Sequence, residues 1–187
     1  NDAPELDIDD QETNEEVPLT ITVLGTDVDA GSGPGDENVL SYSAVSLNPD
    51  SLAVMMLGDQ LTMTPVQDFY GDVSIEVTVT DDGGKFFAET FVLSILNVND
   101  QPYFELSDAL ITLDEDFSES IVVTVDSVFD ADPANTHIYE IEPDTVSWAN
   151  ISIDAGTGEI TISSEPDSSG QGTFTVTIDD GQGEENS

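Results

Sequence analysis

The 187 residues carry 41 acidic side chains against one Lys or Arg, Lys85, for a formal net charge of −40, far outside the magnitude of roughly 2–8 that suits a small domain. Phosphate recognition needs Lys and Arg, so nucleic acid and anionic membrane surfaces are excluded as partners. There is no cysteine to reinforce a thin core, and the apolar run Phe91-Val92-Leu93-Ser94-Ile95-Leu96 is far short of the roughly 20 residues that span a bilayer, so no membrane insertion is expected.

From the N-terminus onward, short apolar and polar alternations punctuated by Gly, Asp, Asn and Pro predict strands, and no amphipathic helix emerges. Val17 to Leu24, Val39 to Val45, Leu52 to Leu57, Gln60 to Thr64, Val73 to Thr80 and Phe86 to Val98 form a first set. A second set follows at Ala109 to Leu113, Ser120 to Val128, His137 to Ile141, Ile151 to Ile153, Glu159 to Ser163 and Thr173 to Ile178.

The sets repeat one plan. Asn1-Asp2-Ala3-Pro4 returns as Asn99-Asp100-Gln101-Pro102, Asn14-Glu15-Glu16 as Asp114-Glu115-Asp116, Asp27-Val28-Asp29 as Asp130-Ala131-Asp132, and Val77-Thr78-Val79-Thr80-Asp81 as Val176-Thr177-Ile178-Asp179-Asp180. A period of about a hundred residues suits an immunoglobulin-type sandwich. The expectation is all-β: two tandem Greek-key β-sandwiches at residues 1–98 and 99–187, the second without the final strand that the first has after its Asp81 turn. A missing last strand leaves unpaired backbone on an edge, either because the chain is a piece of a longer protein or because another chain donates the strand.

The repeated acids cluster at strand ends, where several oxygens can converge, and calcium takes about six to eight oxygen ligands in irregular geometry. These residues also carry a family resemblance. Asp27-Val28-Asp29, with Gly31, Asn38 and Leu40-Ser41-Tyr42-Ser43, resembles the cadherin Asp-x-Asp and its Tyr-containing strand. Asn97-Val98-Asn99-Asp100-Gln101-Pro102-Tyr103-Phe104 is similar to the cadherin linker, and Ile153-Asp154-Ala155-Gly156-Thr157-Gly158-Glu159-Ile160 to another stretch of that family. Asn1-Asp2-Ala3-Pro4, Thr64-Pro65 and Asp68-Phe69-Tyr70-Gly71 look closer to bacterial cadherin-like tandem repeats.

The resemblance implies calcium at the junction of successive domains. Carried over, it gives an early acid at Glu15 with Glu16, a loop acid at Asp68, linker ligands Asn97, Asn99 and Asp100, the Asp-x-Asp at Asp130 and Asp132, and a late acid at Asp180. Asn97 stands where the family has Asp, and Val66-Gln67-Asp68 stands where it has Asp-Arg-Glu, which puts the number of ions in doubt. Asn1, Asp2, Asp27, Asp29 and Asp81 make an upstream half-site, and Glu115, Asp116, Glu165 and Asp167 a downstream one, as expected of a segment from a longer array.

Competing readings fare less well. Asp27 to Asn38 has Ser32 at the sixth place and Asn38 at the twelfth, where an EF-hand needs Gly and Glu. Glycosidase chemistry needs paired acids across a cleft with aromatic platforms, and no Gly-x-Ser-x-Gly elbow occurs. Tyr139, Trp148 and His137 read as structural. The resemblance therefore implies a non-enzymatic, calcium-rigidified spacer or adhesion module, secreted or on a bacterial cell surface. Its partners would be neighbouring repeats of the same polypeptide and homophilic protein contacts or polysaccharide; the alternative is a carbohydrate- or protein-binding adhesin module. A further alternative for the charge is adaptation to high salt.

Overall fold

A computed structural model describes residues 2–28, 39–132 and 136–182. It divides the chain into two compact units, residues 1–98 and 99–187. Every regular element is a strand.

Unit 1 is a two-sheet sandwich. One sheet runs in the order β1 (Gln11–Asn14), β7 (Phe86–Leu96), β6 (Gly71–Thr80), β3 (Ser41–Ser46), the other β2 (Leu19–Thr22), β5 (Gln60–Pro65), β4 (Leu52–Leu57). All pairings are antiparallel except β1 with β7, where Gln11 partners Leu93 and Asn14 partners Leu96. Alternation decides which residues face inward. Val73, Ile75, Val77 and Val79 of β6 and Phe91, Leu93 and Ile95 of β7 meet Leu52, Leu61, Met63 and Val23 in a closed core. Tyr42 reaches out of β3 so that its hydroxyl accepts the Gly25 N–H at 3.0 Å, fixing the chain at the end of that core.

Unit 2 contains β8 (Tyr103–Leu106), β9 (Ile121–Val123), β10 (Val125–Phe129), β11 (Ile138–Glu142), β12 (Ala149–Ile153), β13 (Ile160–Ser164) and β14 (Thr175–Asp179). Its sheet β12-β13-β9 matches β4-β5-β2 of unit 1, and β11-β14 matches β3-β6. β8 pairs with β10, where the described residues of unit 1 have only the bridge between Glu5 and Thr26.

Several sequence expectations need correction. Ala109 to Leu113 forms no strand: its counterpart β1 is held by β7 alone, and the described residues of unit 2 include no partner of that kind. Ser120 to Val128 is two strands, because pairing changes sides at Thr124; β9 joins β13 while β10 joins β8 with a register shift between Val125 and Ser127. Phe86 to Val98 ends as a strand at Leu96, Val17 to Leu24 is a strand only over Leu19–Thr22, Val39 to Val45 over Ser41–Ser46, and Thr173 to Ile178 over Thr175–Asp179.

The stretch Asp154 to Glu159 is the β12–β13 hairpin turn. Asp154 Oδ1 accepts the N–H groups of Gly156 (2.9 Å) and Thr157 (2.8 Å), and Gly158 turns the chain at φ +71°, where a Cβ would lie 2.5 Å from Val125 Cγ2. The hydrogen bonds from Thr157 and then Gly156 lower the pKa of Asp154 below 3.8, because they favour the charged form. A depressed folded-state pKa places this contribution above the unfolded value and removes it as pH falls through the folded one. A carboxyl-carbon NMR titration should therefore find Asp154 ionising below 3.8, with the amide shifts of Gly156 and Thr157 moving at the same midpoint; a midpoint at or above 3.8 would refute the turn's role.

Candidate metal centre

Among the described residues, four other than glycine adopt left-handed backbone, and all four are acidic: Glu16 (φ 60°), Asp68 (57°), Asp116 (54°) and Asp167 (54°). They are matched pairs of the repeat. Left-handed backbone costs an L-residue roughly 1–2 kcal/mol, so the same geometry at the same places in both units points to a shared requirement. In unit 1 the carboxylate oxygens of Glu16 and Asp68 lie within 4.8 Å of each other. In unit 2 the Asp167 N–H donates to Asp116 Oδ1 at 3.0 Å.

Glu15 stands beside them, 4% exposed. Its N–H donates to the Leu96 carbonyl at 2.9 Å, and its Oε1 accepts the Val98 N–H at 2.6 Å, so the end of β7 holds the carboxylate inside. Asn97, between those two contacts, is exposed. The counterpart Glu115 meets no equivalent of β7 among the described residues and is exposed. Glu165 is half-buried and takes the Asn150 side-chain amide at 2.5 Å instead of meeting Asp116.

In unit 2 the acids are linked through the backbone N–H groups of Asp100 and Asp132 and the side chain of Asn99. Asp130 Oδ1 accepts the Asp132 N–H at 2.9 Å, Asp132 Oδ2 accepts the Asp100 N–H at 2.6 Å, and Asp180 Oδ2 accepts the Asn99 side-chain amide at 2.7 Å. Asp132 and Asp180 are 6% and 7% exposed. His137 belongs here too, with Nε2 2.7 Å from Asp130 Oδ2; a histidine seven residues after an Asp-x-Asp carries no motif that marks it as that acid's orienting partner. In unit 1, Asp81 is buried with Oδ1 accepting the Lys85 N–H at 2.8 Å, Asp27 has one buried carboxylate oxygen, and Asp2 is exposed. Asn1 and Asp29, with the Gly31 to Asn38 loop, lie outside the described residues.

The buried charged groups among the described residues, Glu15, Asp81, Asp132 and Asp180, are all carboxylates. With one Lys or Arg in the chain, basic side chains cannot neutralise each of them, and burying an ionised carboxylate without compensation is costly. The donors are carboxylate and amide oxygens without thiolate, chemistry that fits calcium or magnesium rather than a softer ion.

A family model described as "Bacterial Ig domain" matches twice, over residues 1–93 and 99–187. The chain belongs to the bacterial Ig domain family. Solved structures similar to these tandem Ig domains include cadherin ectodomains: human Protocadherin-24 EC1-2, 14% identical with TM-score 0.53, where the match covers 96% of this chain and 94% of that one, and human CDH23 EC21-23, 18% identical with TM-score 0.52, where it covers 89% and 55%. At such identities the likeness is one of fold. The bacterial Ig pair spans only 35% of the human Desmocollin-1 ectodomain and 41% of the Protocadherin Gamma B7 EC1-4 chain. None of the curated proteins matches it. Among the described residues of the two Ig domains, no helix is long and apolar enough to cross a membrane.

Proposed function

We propose that this chain is a pair of Ig modules, residues 1–98 and 99–187, that bind calcium and form a stiffened extracellular spacer or adhesion segment of a larger surface or secreted protein. The observation that carries the reading is the pairing, in each unit, of acidic residues in left-handed backbone, Glu16 with Asp68 and Asp116 with Asp167. Calcium would be held by carboxylates of Glu15, Glu16 and Asp68 with Asn97 in the first module, and by Asn99, Asp100, Asp130, Asp132 and Asp180 in the second. Asp2, Asp27, Asp29 and Asp81 with Asn1, and Glu115, Asp116, Glu165 and Asp167, remain as half-sites for neighbouring repeats. Bound calcium supplies the positive charge that the sequence lacks.

Chain continuity supplies the mechanical part of the proposal. Val98, whose N–H is fixed by Glu15, is followed directly by Asn99, whose side chain is fixed by Asp180. Cations bound to Glu15 and Asp180 would restrain consecutive linker residues. Calorimetric titration at constant ionic strength should show saturable calcium binding in the range of about 0.1–1 mM typical of extracellular modules, with the second module's share of the heat lost in Asp130→Asn/Asp132→Asn and a calcium-dependent change in radius of gyration by X-ray scattering. Equal responses to sodium and magnesium would instead assign the acids to salt adaptation.

One observation favours a second reading, a polysaccharide- or protein-binding adhesin module. Tyr103 and Phe129, opposite each other on β8 and β10, stack at 5.0 Å while 61% and 50% exposed. A glycan array positive for the native chain and negative for Tyr103→Ala/Phe129→Ala would favour that role. Catalysis is not proposed.

A further inference from the structure

Charge is divided unevenly between the sheets of each module. No residue of β2, β4 or β5 is charged, and none of β9, β12 or β13, whereas acids lie on β1, β6 and β7 and on β8, β10, β11 and β14. The solvated face of an antiparallel sheet is normally its polar one. In a chain of net charge −40, a three-stranded sheet without one carboxylate, present in both repeats, marks a face kept neutral. On unit 1 that face presents Thr20, Thr22, Thr62 and Thr64 with Met55 and Leu57, the last two 61% and 74% exposed. Its edge strand β4, Leu-Ala-Val-Met-Met-Leu, has a strand neighbour in β5 alone among the described residues. None of the charges or prolines that ordinarily protect an open edge lies within it.

We infer that β4 is an interface between two copies of this chain, pairing antiparallel with itself about Met55 and joining two uncharged sheets into one. The backbone sets the register. Leu52 N–H turns away from β5 to the Asn48 carbonyl at 3.1 Å, so the N–H groups of Val54 and Met56, two and four residues on, face the same open side. Val54 of each copy then exchanges hydrogen bonds with Met56 of the other, and Met55 faces Met55 in a non-hydrogen-bonded pair. That register sets the large Leu57 against the small Ala53 on the outer face, and Asp59 beside Ser51 instead of beside another acid. The contact is self-complementary, as a two-fold interface must be. These strands carry no aromatic side chain on which a sugar could lie, which favours a protein strand as the occupant. The −40 on each copy opposes approach from a distance, but salt shortens that repulsion to about 8 Å at 0.15 M and about 3 Å at 1 M. Close to, like charges oppose each other least where the surface has none.

The contact stands on the charge map of the strands and not on bound calcium, so an experiment in chelator separates its failure from that of the calcium reading. The chain has no cysteine, which makes single-cysteine variants of the full chain clean probes. Met55→Cys places two thiols across the two-fold axis, on Cα atoms about 4.5 Å apart, within the span a disulfide accepts. With glutathione disulfide as oxidant it should give a covalent dimer about tenfold faster than Thr20→Cys, on the same face two strands away, or than Leu57→Cys, whose opposite residue is Ala53. For the chain without cysteine, sedimentation equilibrium in chelator should show a monomer–dimer exchange that strengthens as sodium chloride rises from about 0.05 to 0.5 M. Met55→Glu, which sets two carboxylates face to face, should weaken the dimer about a hundredfold, while Thr20→Glu, with the same added charge, should change it less than about threefold. Circular dichroism on each variant confirms that these exposed substitutions leave the sandwich folded. A chain that stays monomeric at about 1 mM in every salt would overturn the inference. So would crosslinking at equal rates from residues 20, 55 and 57, or equal weakening by the two glutamates, since either would mean that contact is not centred on Met55.

Discussion

Raising calcium from chelator levels to about 10 mM at fixed high ionic strength should stabilise the chain by about 1.4–2.7 kcal/mol for each site with a Kd of roughly 0.1–1 mM that forms only in the folded state. For a module of this size that is a rise in Tm of roughly 6–20 °C per site, since about 1 kcal/mol moves a 60–100-residue domain by roughly 4–8 °C. Trp148 assigns the effect to a unit, because it lies in unit 2. Asp130→Asn/Asp132→Asn should erase the calcium-dependent shift of the tryptophan transition. Glu15→Gln should remove only the unit 1 part of the shift followed by far-UV circular dichroism while leaving the tryptophan response to calcium in place. A shift that survives the double substitution, or one that sodium reproduces, would remove calcium from the account and leave a solvated acidic surface.

The second large effect concerns the sandwich that carries Glu15, Glu16 and Asp68. Phe91 is 2% exposed at the centre of the unit 1 core, and its β7 neighbour Ile95 partners Thr13 of β1. Phe91→Ala should cost about 3–5 kcal/mol, the lost transfer energy together with the cavity left behind. Against a typical domain stability of about 5–15 kcal/mol, that brings unit 1 close to its unfolding threshold. Because the cores of the two units consist of separate residues, the tryptophan transition of unit 2 should keep its midpoint while the far-UV transition splits. Coincident loss of both signals would show that the units unfold as one.

Much of the sandwich is readable from alternation alone. Leu52 to Leu57 is a strand over the expected span, and Gln60 to Pro65 differs by one residue, since both carry a clear inward and outward pattern. The elements that escaped are those made by backbone pairing. β1 is Gln-Glu-Thr-Asn, with no apolar residue, and it is a strand only because the end of β7 offers it a ladder. Ala109 to Leu113 is the converse, with strand-like composition and, among the described residues, no ladder to join. In the candidate site, repetition singles out Asp130, Asp132 and Asp180, whereas the contact of His137 with Asp130 and the left-handed backbone of Glu16 and Asp68 depend on how loops close in three dimensions, which side-chain spacing does not encode.

The parallel pairing of β1 with β7 also orders events in time. Gln11 waits for Leu93, 82 positions later in the chain, and the carboxylate of Glu15 has no Val98 N–H to accept until that strand is complete. A polypeptide synthesised at about 5–20 residues per second therefore exposes the early acids for seconds before their binding geometry exists. Contacts this distant in sequence also close slowly once available, because loop closure precedes any compensating contact. The last-made strand thus acts as the latch of the first module: an unfinished chain stays open and extended, and the acids at the end of that module reach their final positions only when it is whole.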